Sequence, residues 1–336
     1  MKIIKQEAHL LDTTGMTQYQ VIEKVGRTCY KSEDKITEDS AAKFVASLVK
    51  SSHDAMIEFG YIYMKITDID FLEFFRETRP HFIHMVGEYA VGNFRAFYDW
   101  YKEWLDGKWM IAMDYYDEFM DLIWCLSREY PQVYEDLYKQ IHEKFEPEFD
   151  DSEKMTAADV TYPFQFFCRE DFIADYKSHG NFDKYLSDLL PHIIMFTTDR
   201  GISHEVVRHR ICSFAQESTR YCNYTKGKFG GEITVIEPTD EIKNDPESYE
   251  DWYNGNLQCE ERYFKLINRG ITPQSARDNL PTDLKTDIWV CAYEDEWQHI
   301  LNLRKHGITG APHPKIKELM EIAYPQLVAA SEGRLK

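Results

Sequence analysis

The sequence predicts a mixed chain of helices and strands, and three observations carry that prediction. Apolar residues recur at helical spacing in several stretches, residues 17–30 and 37–51 among them. Short runs rich in β-branched and aromatic residues, 61–66 and 192–198, are bounded by turn-forming residues. Aromatic content is 15% over 336 residues, enough to fill a sizeable core in one large or two ordinary domains.

Taken in order, residues 1–10 alternate enough for a strand. The helix over 17–30 places Val21, Ile22 and Val25 on one side. Thr37 is positioned to cap the next helix, with Ala41, Phe44, Val45 and Leu48 at helical spacing. The strand over 61–66 follows. Between 67 and 190, residues 71–78, 91–105 and 110–144 read as helices. Trp100, Trp104, Trp109 and Trp124 are expected to build a core of their own. The acid-rich run 146–153 lacks the Asp-x-Asp-x-Asp-Gly spacing of a calcium loop and reads as solvated. His81 and His84 lie three apart, as on one helical face, but no third ligand stands near, and no metal is expected. Further on, 192–198 is a strand and Asp199-Arg200-Gly201 a turn. Residues 202–207 form a short helix, and 233–236 a short strand. A long helix over 249–267 stops at Asn268-Arg269-Gly270. Thr272-Pro273 opens another, ended by Leu280-Pro281. A strand over 284–293 buries Trp289 and Val290. Helices over 294–306 and 314–330 complete the chain.

The formal net charge is −19. Such acidity disfavours nucleic acid or an anionic membrane as the main partner, though not a small anion in a local basic pocket. Seven scattered cysteines include no Cys-x-x-Cys pair, which fits reduced thiols and a cytoplasmic location. No stretch has the roughly 18 apolar residues of a membrane span.

Against this background one stretch stands out: Arg208-His209-Arg210-Ile211-Cys212-Ser213-Phe214-Ala215-Gln216-Glu217-Ser218-Thr219-Arg220-Tyr221. Over 200–228, six Lys and Arg face two acids, a local charge of +4. Val206, Val207, Ile211, Phe214 and Ala215 interleave with the charges, so part of the stretch packs. Arginine offers five donors in a planar fork, which suits a phosphate or a planar imide edge. On an unbroken helix Arg208 and Arg210 would point to opposite sides. A helix ending near His209 would let both serve one pocket. A plain arginine-rich turn, salt-bridged to the acidic remainder, is the alternative. The string His204-Glu205-Val206-Val207-Arg208-His209 is not a zinc helix, because histidines five apart diverge by about 140°.

Arg208-His209-Arg210, seven residues, then Ser218 resembles the signature of the flavin-dependent thymidylate synthases. Gln216-Glu217-Ser218-Thr219-Arg220-Tyr221 is also typical. Arg27 to Ser32, His53 with Glu58, Gly92 to Arg95, Arg277 with Leu280-Pro281, and Trp297 to Arg304 resemble further family elements. The resemblance covers 1–66 and 191–336 and implies an α+β fold: a sheet flanked by helices, a family-like core, and a large helical insertion at 67–190. It also implies a homotetramer with sites between subunits.

The reaction implied is reductive methylation of dUMP to dTMP. Methylenetetrahydrofolate is the carbon donor, and FAD, reduced by NADPH or NADH, is the hydride carrier. The family's dUMP contacts fall on Glu205, Arg208, Gln216, Ser218, Thr219, Arg220, Arg277 and Arg304. Its FAD contacts fall on His53, Ala55, Arg208, His209, Arg210, Gln216 and His299. Arg304 would act in catalysis by stabilising the N3-deprotonated pyrimidine, as a fixed positive charge favours an anion. Ser218 has no partner base in the sequence and is assigned to binding. Ala55, Phe59, Glu205, Tyr293 and Asp295 depart from the family pattern. They favour the alternative, a non-catalytic relative that binds a nucleotide or flavin.

Overall fold

The computed structural model describes residues 1–78, 80–107, 115–145, 164–180, 183–220, 222–225 and 230–336. It divides into two compact units. One comprises 1–12, 24–35 and 191–336; the other comprises 13–23 and 36–190.

The chain opens with β1 (Lys2–Ile4) and β2 (Glu7–Leu10), then α1 (Gln18–Cys29). In the second unit α2 (Ser40–Lys50) precedes β3 (Tyr61–Ile66), α3 (Ile69–Thr78), β4 (Ile83–Val86) and β5 (Tyr89–Asn93). After them come α4 (Phe94–Leu105), α5 (Tyr116–Glu129), α6 (Pro131–Phe145), β6 (Phe164–Phe167), α7 (Arg169–Ser178) and α8 (Asp183–Leu186). Strand β3 lies between β5 and β6 in an antiparallel sheet of order β4-β5-β3-β6.

The expected helix over 91–105 is corrected at its start. Residues 91–93 complete β5 through pairing with β3 and β4, and Asn93 then caps α4 by accepting from the Ala96 amide at 2.8 Å. Nor does Thr37 cap α2, which begins at Ser40. The Ser40 hydroxyl instead accepts from the Thr37 amide at 2.9 Å. His81 and His84 share no helix: His84 lies in β4 with Nδ1 at 2.9 Å from the Asp188 carbonyl.

Trp100 and Trp104 are buried as expected. They pack on Phe74, Phe75 and Phe119 with ring centroids 4.5–5.6 Å apart, close enough for favourable aromatic contact. Trp124 is half-buried beneath the Arg128 guanidinium. Trp109, residues 110–114 and the acid-rich run at 146–153 lie outside the described residues.

The other unit resumes with β7 (Pro191–Asp199), α9 (Arg200–Val206), β8 (Ser213–Gln216) and β9 (Thr234–Ile236). Then follow α10 (Asp240–Lys243), α11 (Pro246–Asn268), α12 (Pro273–Ala276), β10 (Lys285–Tyr293), α13 (Glu294–Arg304) and α14 (Pro314–Ala330). The antiparallel sheet runs β2-β7-β10-β8, and β1 pairs with β9 in parallel. Nine residues of β10 pair with nine of β7, Lys285 opposite Asp199 and Tyr293 opposite Pro191.

Side chains two apart share a sheet face. Ile194 and Phe196 on β7 therefore join Ile288, Val290 and Ala292 on β10. Against that face pack Ile202 and Val206 of α9, Trp297, Ile300 and Leu301 of α13, and Ile316, Leu319 and Met320 of α14. A smaller cluster around Tyr224, Val235, Tyr263 and Leu284 fills the space beneath α11. No helix among the described residues is long and apolar enough to cross a membrane.

Candidate active site

The site is built at the C-terminal end of α9. Asp199, expected in a turn, is the cap: its carboxylate accepts from the Ile202 amide at 2.7 Å, satisfying a donor left free at the helix start. The other oxygen of Asp199 holds the Lys315 ammonium at 2.8 Å. Val206 is the last helical residue and goes into the core; the chain then turns through 207–212 into β8. The helix thus ends before His209, the arrangement that would let Arg208 and Arg210 serve one pocket. Arg208 and Arg210 are both exposed, and among the described residues neither has an ion-pair partner.

His209 turns inward and is only 7% exposed. Its Nε2 lies 3.2 Å from Arg304 Nε at the end of α13. Arg304 Nη1 donates to the Glu205 carboxylate at 2.9 Å, and Nη2 lies 3.4 Å from the Glu205 carbonyl. All three guanidinium nitrogens therefore face residues of α9 and the turn after it. On the opposite side of the imidazole, Nδ1 is 3.9 Å from Glu296, and the His299 ring stands edge-on with centroids 6.2 Å apart. Burial, with the positive charge of Arg304 and the neighbouring His299, lowers the His209 pKa to about 4. Burial also pushes the Glu296 carboxyl up.

His209, Glu296 and His299 lie close enough together to offer a metal three ligand atoms. The hydrogen bonding speaks against it. Arg304 can only donate, so the bond assigns the lone pair to His209 Nε2 and the proton to Nδ1. The nitrogen facing Glu296 and His299 is thus the protonated one.

Gln216 ends β8 with its amide donating to Ser203 Oγ at 2.8 Å and Thr286 Oγ1 at 3.2 Å. Beyond it, Ser218 Oγ accepts from the Arg220 amide at 3.3 Å, and Arg277 Nη1 reaches Thr219 Oγ1 at 3.5 Å. The structure places eight of the expected residues in two groups of one unit. Glu205, His209, His299 and Arg304 form the first; Ser218, Thr219, Arg220 and Arg277 form the second. His53 and Ala55 are exposed residues of the other unit, between α2 and the turn at 57–59. Of the departures from the family pattern, Phe59 is fully buried, Tyr293 is buried at the start of α13, and Asp295 is exposed in its first turn.

Sequence reasoning missed the support beneath the second group. Glu217 is 3% exposed and exchanges backbone contact with Asp287, its amide donating to the Asp287 carbonyl at 2.9 Å. Its carboxylate lies 3.3 Å from Lys285 and 3.6 Å from Lys31. Both lysines also pair with Asp287, which accepts from Thr197 Oγ1 at 2.8 Å. Arg200 Nη2 donates to the Glu217 carbonyl at 2.6 Å. Lys31 takes part from a left-handed backbone, φ 51°, just past the end of α1. That position usually falls to glycine. The available signal was the polar string Lys285-Thr286-Asp287 opening an otherwise apolar strand.

The fold and site define an α+β protein with an arginine-lined turn suited to a phosphorylated ligand. Residues 192–329 match the family described as thymidylate synthase complementing protein, so the likeness read from the motif holds across that segment. The chain is 37% identical over 105 residues to the flavin-dependent thymidylate synthase of Pyrococcus furiosus, covering 31% of this chain and 42% of that protein. It is 26% identical over 145 residues to the probable flavin-dependent thymidylate synthase of Paramecium bursaria Chlorella virus 1, covering 40% and 67%. The chain thus spans about two-fifths of the length of the first of these relatives. A crystal structure of the UMP/dUMP methylase PolB from Streptomyces cacaoi bound with 5-Br dUMP aligns over 99% of this chain and 96% of its own. Its identity is 13% and its TM-score 0.39, a likeness too loose to bear on the site.

Proposed function

We propose that this chain methylates dUMP to dTMP with methylenetetrahydrofolate as carbon donor, the hydride coming from FAD and ultimately from NADPH. The observation that carries this reading is the group of Arg304, His209 and Glu205 beside two exposed arginines, inside the segment that matches the family. Arg208, Arg220, Arg277 and Ser218 would hold the phosphate and sugar of dUMP. Arg304 would lie at the pyrimidine edge, where a fixed charge stabilises the N3 anion that makes C5 nucleophilic.

The residues fit a flavin. Val207 and Ile211, 39% and 60% exposed, flank the exposed Arg208 and Arg210, a mixture suited to a flat ring system carrying phosphates. Arg208, His209, Arg210, Gln216 and His299 would hold it. Neutral His209 can donate from Nδ1 without adding charge. The same reading makes 1–66 and 191–336 the catalytic core, 67–190 an insertion, and the protein a cytoplasmic homotetramer.

One observation favours the non-catalytic alternative: Arg304 is already engaged by Glu205. The absorbance of the purified protein and a single-turnover assay separate the two. Flavin bands near roughly 375 and 450 nm, with dTMP formed from dUMP, methylenetetrahydrofolate and NADPH, support the enzyme. Flavin bands without dTMP support the alternative.

A further inference from the structure

We propose that Glu205 is the base that takes the N3 proton of the pyrimidine, with Arg304 stabilising the resulting anion. This deepens the reading above and rests on its placement of the pyrimidine at Arg304.

Arg304 is positive, Glu205 is its ion-pair partner at 2.9 Å, and His209 accepts from Arg304 and is neutral. The three groups sum to zero before any ligand arrives. A pyrimidine entering as an anion would bring a second negative charge beside the Glu205 carboxylate, an unfavourable approach in a partly buried site. A neutral pyrimidine meets no such barrier. Its N3–H is a donor, and a carboxylate at Arg304 is the matching acceptor.

Among the described residues, Arg304 of α13 pairs with Glu205, His209 lies on the far side of Arg304, and His204 and Arg208 flank Glu205 along its own segment. Helix α14 brings only Ile316 and Met320 to the small cavity lined by Val206, His209 and Arg304. Arg304 carries no lone pair to offer. His209 has its single lone pair directed at Arg304, and a second proton there would place two positive charges 3.2 Å apart. Glu296 lies across the imidazole from Arg304. Glu205 is the remaining acceptor, and both its carbonyl and its carboxylate lie against the guanidinium.

In the step itself, the N3–H bond breaks and an O–H bond forms on the Glu205 carboxylate. The electron pair stays on the pyrimidine, and nothing is oxidised or reduced. Arg304 exchanges one anionic partner for another, so the local charge remains zero throughout. When the methylated pyrimidine becomes neutral again, Glu205 returns the proton to N3.

The test is the pH dependence of single-turnover methyl transfer, measured on wild type, Glu205→Gln and Glu205→Asp with flavin content and dUMP binding followed in parallel. The wild type should be level from roughly pH 6.5 to 8.5, because the acceptor is carried within the site. Glu205→Gln must release the proton to solvent. Its rate should gain about tenfold per pH unit below the pKa of the bound pyrimidine. Glu205→Asp should regain the level profile at a reduced rate. Parallel profiles for wild type and Glu205→Gln, with dUMP bound by both, would overturn the role while leaving the proposed reaction standing. No dTMP from the wild type at any pH would sink both. Should Glu205→Gln fail to fold, the wild type still decides: a rise of about tenfold per unit across that range means the proton leaves to solvent.

Discussion

Replacement of Arg304 tests the centre of the site with two readouts that need not move together. Its guanidinium bonds the Glu205 carboxylate at 2.9 Å and His209 at 3.2 Å, with its side chain 21% exposed. Arg304→Ala removes both contacts. The stability cost should be about 1 kcal/mol, because the ion pair is only partly buried and Glu205 can turn to water. The effect on methyl transfer should be larger. Removing one preorganised charge-stabilising donor typically costs about 3–4 kcal/mol, or roughly 10²–10³ in rate. Bound flavin should still be reduced by NADPH.

His209 supplies the second readout. Its pKa of about 4 is set first by burial and then by Arg304 and His299. In Arg304→Ala it should climb, yet stay below its usual 6.5, since the larger cause remains. Arg304→Lys keeps a positive charge without the planar fork. It should hold the His209 pKa low and still transfer methyl groups slowly. The assays are imidazole NMR titration and single-turnover dTMP formation. An unmoved His209 titration in Arg304→Ala, or dTMP formed at the wild-type rate, would refute the reasoning.

Three other outcomes follow from the same geometry. His209 is depressed in the folded state, so the unfolded chain binds the extra proton between about 6.5 and 4. Its contribution to stability is complete above that window and falls by up to about 3 kcal/mol as pH drops through it; in His209→Gln, urea titrations at pH 4.5 and 7 should differ by correspondingly less than in wild type. Lys315, its side chain 8% exposed, joins Asp199 at 2.8 Å and Asp283 at 3.0 Å. Lys315→Met leaves Asp199 buried without its counter-charge and should cost about 3–5 kcal/mol; a urea-derived loss under about 1 kcal/mol would contradict that burial argument. At Gly92 an added Cβ would lie 2.8 Å from Ile83 and from Phe97, so Gly92→Ala should destabilise by about 1–3 kcal/mol. Thermal and urea unfolding equal to wild type would show that β4 and α4 yield there.

The sequence by itself determined the elements whose signals are local. The apolar spacing over 249–267 and the stop at Asn268-Arg269-Gly270 placed α11 without reference to anything else, short of its start at Pro246 by three residues. The apolar run Ile288 to Tyr293 marked the central strand, and the charges at 208–220 marked the turn beside it. At 91–93 the same local reading failed. Val91 lies at helical spacing ahead of Phe94, and pairing with β3 and β4 is what makes 91–93 a strand.

Tertiary structure alone decided which distant groups meet. Arg304 lies 95 residues from His209, and Lys31 lies 256 residues from Asp287. Glu205 shows the consequence most directly. In the sequence it is an anion among arginines expected to bind phosphate; in the fold it is the partner of Arg304. Capping, periodicity and turn chemistry act over a few residues and are written where they act. The charge state of His209 and the engagement of Arg304 depend on what α13 and the end of α9 bring to one another, and that is fixed only when both pack on the β7–β10 sheet.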